Sequence, residues 1–144
     1  MSVDPSCLFC RIASGESSGY LVYADEQVVG FLDHRPLRPG HCLVVPRYHV
    51  ETLHDAPPDV FARLMLVVQR LAAAGERAMH ADGSFVAINV RVSQSVPHLH
   101  AHVVPRNRKD GLFARNFVWM RRPYPNEDAI WTAQAAIRAA LGPS

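Results

Sequence analysis

The run His98-Leu99-His100-Ala101-His102-Val103-Val104 constrains this chain more than any other seven residues. Polar and apolar positions alternate, and the run ends in β-branched residues. That is the signature of a strand with one face in a core. Strand side chains repeat every two residues, so all three imidazoles share one face, about 6–7 Å from one to the next. Imidazole is the side chain best suited to nucleophilic, acid–base or metal chemistry near neutral pH.

The rest of the chain reads as an α+β domain around that strand. Further strands are expected at Tyr20–Ala24, Gln27–Leu32, His41–Val45 and Phe85–Val90, with a hairpin turn at Asp25-Glu26. The histidine strand covers Leu99–Val104 and is stopped by Pro105, as His41–Val45 is by Pro46. Residues 1–10 read as irregular, followed by a short helix Arg11–Ser14 that Gly15 ends. The clearest helix spans Asp59 to about His80. Its stripe is Val60, Phe61, Leu64, Met65, Val67, Val68, Leu71 and Ala72. Asp59 either caps it or lies in its first turn after Pro57-Pro58. A short strand is placed at Phe117–Met120. Asn126 caps a last helix running to about Leu141.

The composition supports one domain: 144 residues, 49% of them hydrophobic. A formal net charge of +2, with scattered basic residues, gives no case for a nucleic-acid surface. No apolar stretch approaches 18 residues and the N-terminus lacks a signal-peptide pattern, so neither membrane span nor secretion is expected. Three cysteines, two of them in a CxxC pair, suit a reducing compartment, and the cytoplasm is the expected location.

Cys7-x-x-Cys10 presents two thiols from one short turn. With His49 and His98 they would make a tetrahedral S/N set for zinc. A redox dithiol and a pair of uncoordinated thiols are the alternatives; the first usually opens a helix after a strand, and no strand precedes this pair. Cys42 reads as a small core residue. If His98 binds metal, His100 and His102 remain for catalysis. Ser93-Gln94-Ser95 and Asn89 offer donors for a phosphate. His34, His41, His54 and His80 have no partner pattern and read as structural.

These motifs together resemble the histidine triad family. The resemblance runs through Cys7-Leu8-Phe9-Cys10-Arg11-Ile12, Phe31-Leu32-Asp33, Pro36, Gly40 to His49, Asn89, Gln94 to His98, and the histidine run itself. It covers about residues 5–106, leaving about 107–144 as a C-terminal helical extension. It is closest to the branch of nucleoside phosphoramidate hydrolases and small bacterial members, with dinucleoside polyphosphate hydrolases also in view. It implies a five-stranded antiparallel sheet with one long and one short helix, and a homodimer with a continuous ten-stranded sheet. It also implies attack by His100 on the α-phosphorus of a purine nucleotide, through a nucleotidyl-histidine intermediate that water or another acceptor resolves to a product such as AMP. His102 would bond the phosphate or leaving group, and Ser95 would contact the phosphate and relay a proton. Gln94 and Asn89 would bind phosphate or ribose, and Asp33 the ribose hydroxyls. Phe9, Ile12, Phe31 and Leu32 would form the base slot. Cys7, Cys10, His49 and His98 would carry a structural Zn2+.

Ser93 departs from the pattern, since many members place glycine there. The extension also departs, and either covers the site, carries Trp119 or Trp131 toward it, or packs on the sheet. Two other classes compete: a nucleotide sensor with little turnover, which would not require an aligned nucleophile, and a hydrolase whose zinc activates water. Four protein ligands would leave such a zinc no open position.

Overall fold

The computed structural model describes residues 2–114 and 120–143. Five strands form one antiparallel sheet: β1 (Leu21–Ala24), β2 (Val28–Leu32), β3 (Cys42–Pro46), β4 (Gly83–Ile88) and β5 (Ala101–Arg106), in the order β1-β2-β3-β5-β4. Three helices accompany it: α1 (Leu8–Ser14), the long α2 (Pro58–Met79) and the C-terminal α3 (Glu127–Leu141). A single 3-10 turn covers Leu53–Asp55. This is the α+β architecture expected from the sequence, with one long helix, one short helix and a helical extension.

Alternation along the strands divides the core in two. Val28, Leu32, Cys42, Val44, Leu99, Ala101 and Val103 pack with Leu64, Val67, Val68 and Leu71 of α2 and Ala133 and Ile137 of α3. Val29, Phe31, Leu43 and Val45 point to the other side and pack with Cys7, Phe9, Cys10 and Ile12 around α1. The second layer is thin, because α1 has only seven residues. It leaves open the sheet face on which His100 and His102 stand.

Several boundaries differ from the sequence reading. α1 begins three residues before Arg11, because Asp4 organises the chain ahead of it. Its carboxylate accepts from the Ser6 N–H at 2.9 Å and its carbonyl from the Cys7 N–H at 3.0 Å. Cys7 becomes the helix N-cap and Cys10 falls in the first turn, on the same side. Gly15 ends α1 in the left-handed region at φ 86°. Asp59 lies in the first turn of α2 behind Pro58, and does not cap it.

β5 starts at Ala101 instead of Leu99. The Leu99 N–H donates to Val50 O outside the sheet, and β3 pairs no further back than Val44↔Ala101. β3 does end at Pro46, but Pro105 does not stop its strand. β3 pairs with β5 only as far as Cys42↔Val103, so nothing on that side requires a donor from Pro105, which continues opposite Ser84 of β4. Pro46 likewise pairs with Val28 at the end of β3.

α3 packs on α2 and the sheet through Ala133 and Ile137, and Gln134 donates to Leu21 O at 2.8 Å. Trp131 is on its outer side, 51% exposed, and does not reach the histidine face. The strand expected at Phe117–Met120, and Trp119 with it, lies largely outside the described residues. No helix among the described residues is long and apolar enough to cross a membrane.

Candidate active site and metal centre

The three histidines share one face although only His102 belongs to β5. Each of the intervening residues, Leu99 and Ala101, is fully buried toward α2 and sets the alternation. The rings of His100 and His102 lie 5.0 Å apart between centroids. Phe9 of α1 meets His100 edge-on at 5.1 Å and His98 at 5.9 Å.

His98 turns toward the N-terminal segment. Its Nε2 is 2.9 Å from the Pro46 carbonyl and must donate to it, so Nδ1 carries the lone pair. That Nδ1 faces Cys7 Sγ at 3.4 Å and Cys10 Sγ at 3.5 Å, while His49 Nδ1 is 3.6 Å from Cys10 Sγ. All four ligand atoms lie within 4.8 Å of one another. Zinc–sulfur and zinc–nitrogen bonds meeting at a tetrahedral angle put S and N about 3.6 Å apart. The cluster fits such an ion without rearrangement, and the Pro46 carbonyl supplies the outer hydrogen bond that fixes a ligating imidazole. The four residues come from α1, the loop after β3 and the approach to β5. Cys7 and Cys10 are both free, buried thiols. Cys42 is a buried core residue whose thiol burial pushes up to about 12.

His100 is held by main chain. Its Nδ1 donates to the His98 carbonyl at 2.7 Å, which leaves Nε2 unprotonated. Burial pulls its pKa below the ordinary histidine value, against the His98 carbonyl, which favours the charged form. The ring is therefore a neutral base, as a nucleophile must be.

His102 is set by a residue that sequence reading assigned to structure. The Leu37 N–H donates to His41 Nδ1 at 3.0 Å. A backbone amide can only donate, so His41 carries its proton on Nε2. That proton goes to His102 Nδ1, 2.9 Å away. His102 must then be protonated on Nε2, which makes it a donor toward a ligand. His100 and His102 are thus opposite tautomers, one an acceptor and the other a donor. The structure corrects the reading of His41, which belongs to the site as the residue that orients His102. Its only sequence signal is the shared parity with Leu43, and the register Leu43↔His102 that makes it decisive is tertiary information.

Burial lowers the pKa of His41 to about 4 and of His102 to about 3. The unfolded chain protonates these rings near 6.5 and the folded chain does not, so stability is full above pH 6.5. It is lost as pH falls from there toward 4 and then 3. The slope is about 1.4 kcal/mol per pH unit for each ring. The urea midpoint is expected to drop clearly between pH 7 and pH 5, and less steeply in His41→Gln. An identical, flat pH response in both proteins would show that the pair does not control acid stability.

A cavity of about 350 Å³ opens against this face. Phe9, Ile12, Phe31, Leu32 and Asp33 line it together with His100, His102 and Ser95. Apolar side chains and a few polar groups thus share one cavity, the usual make-up of a small-molecule site. Asp33 is 8% exposed; burial alone would raise its pKa, but His41, the Arg35 N–H and Arg121 together hold it below the ordinary value. A smaller cavity of about 280 Å³ adjoins, lined by Asn89, Ser93, Ser95, His102 and Arg121. Asn89 donates to Ser93 O at 3.2 Å.

Gln94 does not join them. Its Oε1 accepts from the Arg91 N–H at 2.8 Å and its Nε2 donates to Glu51 O at 2.7 Å, so the side chain braces the loop. Arg91 and Ser93 both adopt φ 63°, the left-handed region where glycine is at ease. Ser93 keeps the backbone shape that glycine would supply there, at some cost in strain.

Sheet, helices and histidine cluster together define a small nucleotide-handling domain, and comparison with known proteins gives the family. Residues 14–109 match the HIT domain, and the chain belongs to the HIT, or histidine triad, family. A Zn-bound histidine triad family protein from Mycobacterium smegmatis superposes with a TM-score of 0.82 at 40% identity, covering 94% of this chain and 93% of that one. Adenylylsulfatase HINT3 of Arabidopsis thaliana is 34% identical over 115 residues, 78% of this chain and 58% of its own. Adenosine 5'-monophosphoramidase HNT1 of Saccharomyces cerevisiae is 33% identical over 114 residues, 77% of this chain and 70% of its own.

Proposed function

We propose that this protein hydrolyses, or transfers to another acceptor, the nucleotidyl group of purine nucleoside phosphoramidates, adenylates or dinucleoside polyphosphates. One observation carries the reading: the His98 carbonyl fixes the tautomer of His100 so that Nε2 is unprotonated, and His100 lines a largely apolar cavity. In this reading the base lies among Phe9, Ile12, Phe31 and Leu32, and Asp33 accepts from the ribose hydroxyls. His100 Nε2 bonds to the α-phosphorus while the leaving group departs with its electron pair. His102 donates from Nε2 to the phosphate or the departing atom, and Ser95 and Asn89 contact the phosphate. Water then cleaves the P–N bond, releases a nucleoside monophosphate such as AMP and restores the imidazole.

Cys7, Cys10, His49 and His98 are proposed to hold a structural Zn2+. When bound it supplies no Lewis acid, because four protein ligands close its coordination; it fastens α1, which carries Phe9 and Ile12 of the base slot.

Dimerisation is also proposed. β4 is the sheet edge opposite β1, it pairs only with β5 among the described residues, and its Val86 is 41% exposed. Such an edge is a template for a second copy. The expected mass by sedimentation is twice 16.0 kDa; a concentration-independent monomer would remove this part of the proposal.

Rapid quenching with adenosine 5'-phosphoramidate, followed by intact mass spectrometry, tests the chemistry. An acid-labile increment of one adenylyl group, formed and lost during turnover, is expected. Nucleotide binding with neither increment nor product would instead identify a sensor.

A further inference from the structure

The C-terminal extension does more than pack on α2. Residues 121–124 form a strap along the loop between β2 and β3. The Arg122 N–H donates to Pro36 O at 2.7 Å, and the Tyr124 hydroxyl accepts from the Gly40 N–H at 2.8 Å. Tyr124 is also packed against the α2 side of the core. The strap is thus pinned at two points to the loop that begins at Asp33.

Its first residue closes a ring of hydrogen bonds around the Asp33 carboxylate. The Arg35 N–H donates to Asp33 Oδ1 at 2.9 Å. Arg121 Nη1 donates to Asp33 Oδ2 at 2.7 Å and also to the Arg35 carbonyl. The Asp33 N–H donates to His41 O at 2.9 Å, which fixes the backbone at the same residue.

The ring fixes the last torsion of the aspartate. Rotation about Cβ–Cγ is broad in this side chain, and one anchored oxygen leaves it soft. Two anchored oxygens set the plane of the carboxylate. An ionised carboxylate has about four lone-pair sites. Arg35 and Arg121 take one on each oxygen, which leaves one on each. Two acceptors held in one plane match the paired hydroxyls of a cis-diol. The guanidinium also favours the ionised form, which can only accept.

We infer that Arg121 is a positioning residue for nucleoside selection: it fixes the Asp33 carboxylate so that the site prefers a nucleotide with both ribose hydroxyls to one that lacks them. The inference rests on the proposed contact of Asp33 with ribose and adds the residue that prepares it. Arg121 acts through Asp33. It shares the carboxylate with the ribose and does not compete for it, because each oxygen accepts twice.

In sequence, Arg121-Arg122 reads as solvated loop charge. Only the anchoring of the extension on Pro36 and Gly40 puts the first arginine on Asp33 and uses the backbone of the second as a pin.

The test is calorimetric titration of wild type and Arg121→Met with AMP and with 2',3'-dideoxyadenosine 5'-monophosphate. The two ligands share base and phosphate and differ only in the hydroxyls. Wild type is expected to bind AMP more tightly. In the variant the AMP dissociation constant is expected to rise by about three- to ten-fold, the range for ordering one more side chain on binding, while that of the dideoxy compound changes by less than about two-fold. Tyr124→Phe removes the hydroxyl that pins the strap and keeps the arginine. It is expected to shift the same ratio in the same direction, by less.

Equal weakening of both ligands in Arg121→Met overturns the inference, because the arginine would then meet the phosphate or serve only the fold. Tighter AMP binding in the variant overturns it too, since Arg121 would then compete with ribose for Asp33. So does an unchanged ratio, which would mean that Asp33 is fixed without it. Failure of the underlying reading looks different: wild type itself would bind the two ligands equally, which takes the ribose away from Asp33 and rejects both ideas together.

Discussion

Replacing His100 with alanine is expected to lower turnover of adenosine 5'-phosphoramidate by roughly 10³–10⁶-fold and to abolish the adenylyl increment on the protein. His100 is the one imidazole of the site with an acceptor nitrogen directed at a ligand. Its Nδ1 is committed to the His98 carbonyl, and the proton chain from Leu37 through His41 makes His102 a donor. His102 therefore cannot take over the attack without reversing its buried hydrogen bond with His41 and losing the one from the Leu37 N–H to His41. Removing it costs acid catalysis, typically 10²–10⁴-fold. The variant should keep AMP affinity within a few-fold, because the base slot and Asp33 are contributed by other elements. A variant that keeps more than about a tenth of the wild-type rate would show that water attacks directly.

The second large effect concerns the metal. Chelation is expected to lower the melting temperature by about 10–15 °C, and zinc to restore it. An ion present at a thousand times its dissociation constant adds about 4 kcal/mol to a fold that binds it only when native. For a chain of this length each kcal/mol moves the midpoint by a few degrees. The core between α2 and the sheet is independent of the cluster, so the chelated chain should remain folded there. The layer around α1 should loosen, since Cys7 and Cys10 tie it to the approach to β5. Activity should fall with it, because the His98 carbonyl that holds His100 and the Phe9 ring beside His100 both belong to this layer. Cys10→Ser, which weakens the set without removing side-chain volume, should reproduce the loss. Protein shown to be free of zinc, with unchanged melting and full activity, would defeat this account.

Much of the fold was legible along the chain wherever the signal is local. Alternation set the face of the histidine run, and short apolar runs marked β2 and β3. The apolar stripe with Pro58 in its first turn marked α2, and Asn126, which accepts from the Ala129 N–H, marked α3. One proline was misleading. Pro46 and Pro105 read as strand stops, and β3 does end at Pro46, yet Pro105 continues its strand where no neighbour needs its missing donor, and only the strand order reveals that. Asp4 explains the early start of α1 through a turn that no periodicity announces.

The sequence by itself determined which side chains do chemistry: three imidazoles on one face and a CxxC pair with two candidate histidines. Parity and short spacings are properties of a few adjacent bonds and need no partner. Tertiary structure alone decided how those side chains are wired. The pairing of β3 with β5 puts His41 beside His102 and fixes a tautomer, the loop before His98 ties Gln94 to the Glu51 carbonyl, and the C-terminal extension returns Arg121 to Asp33. Each of these contacts joins residues at least 43 positions apart in the chain. Hydrogen bonds act over about 3 Å, and only the packed fold brings such distant residues that close.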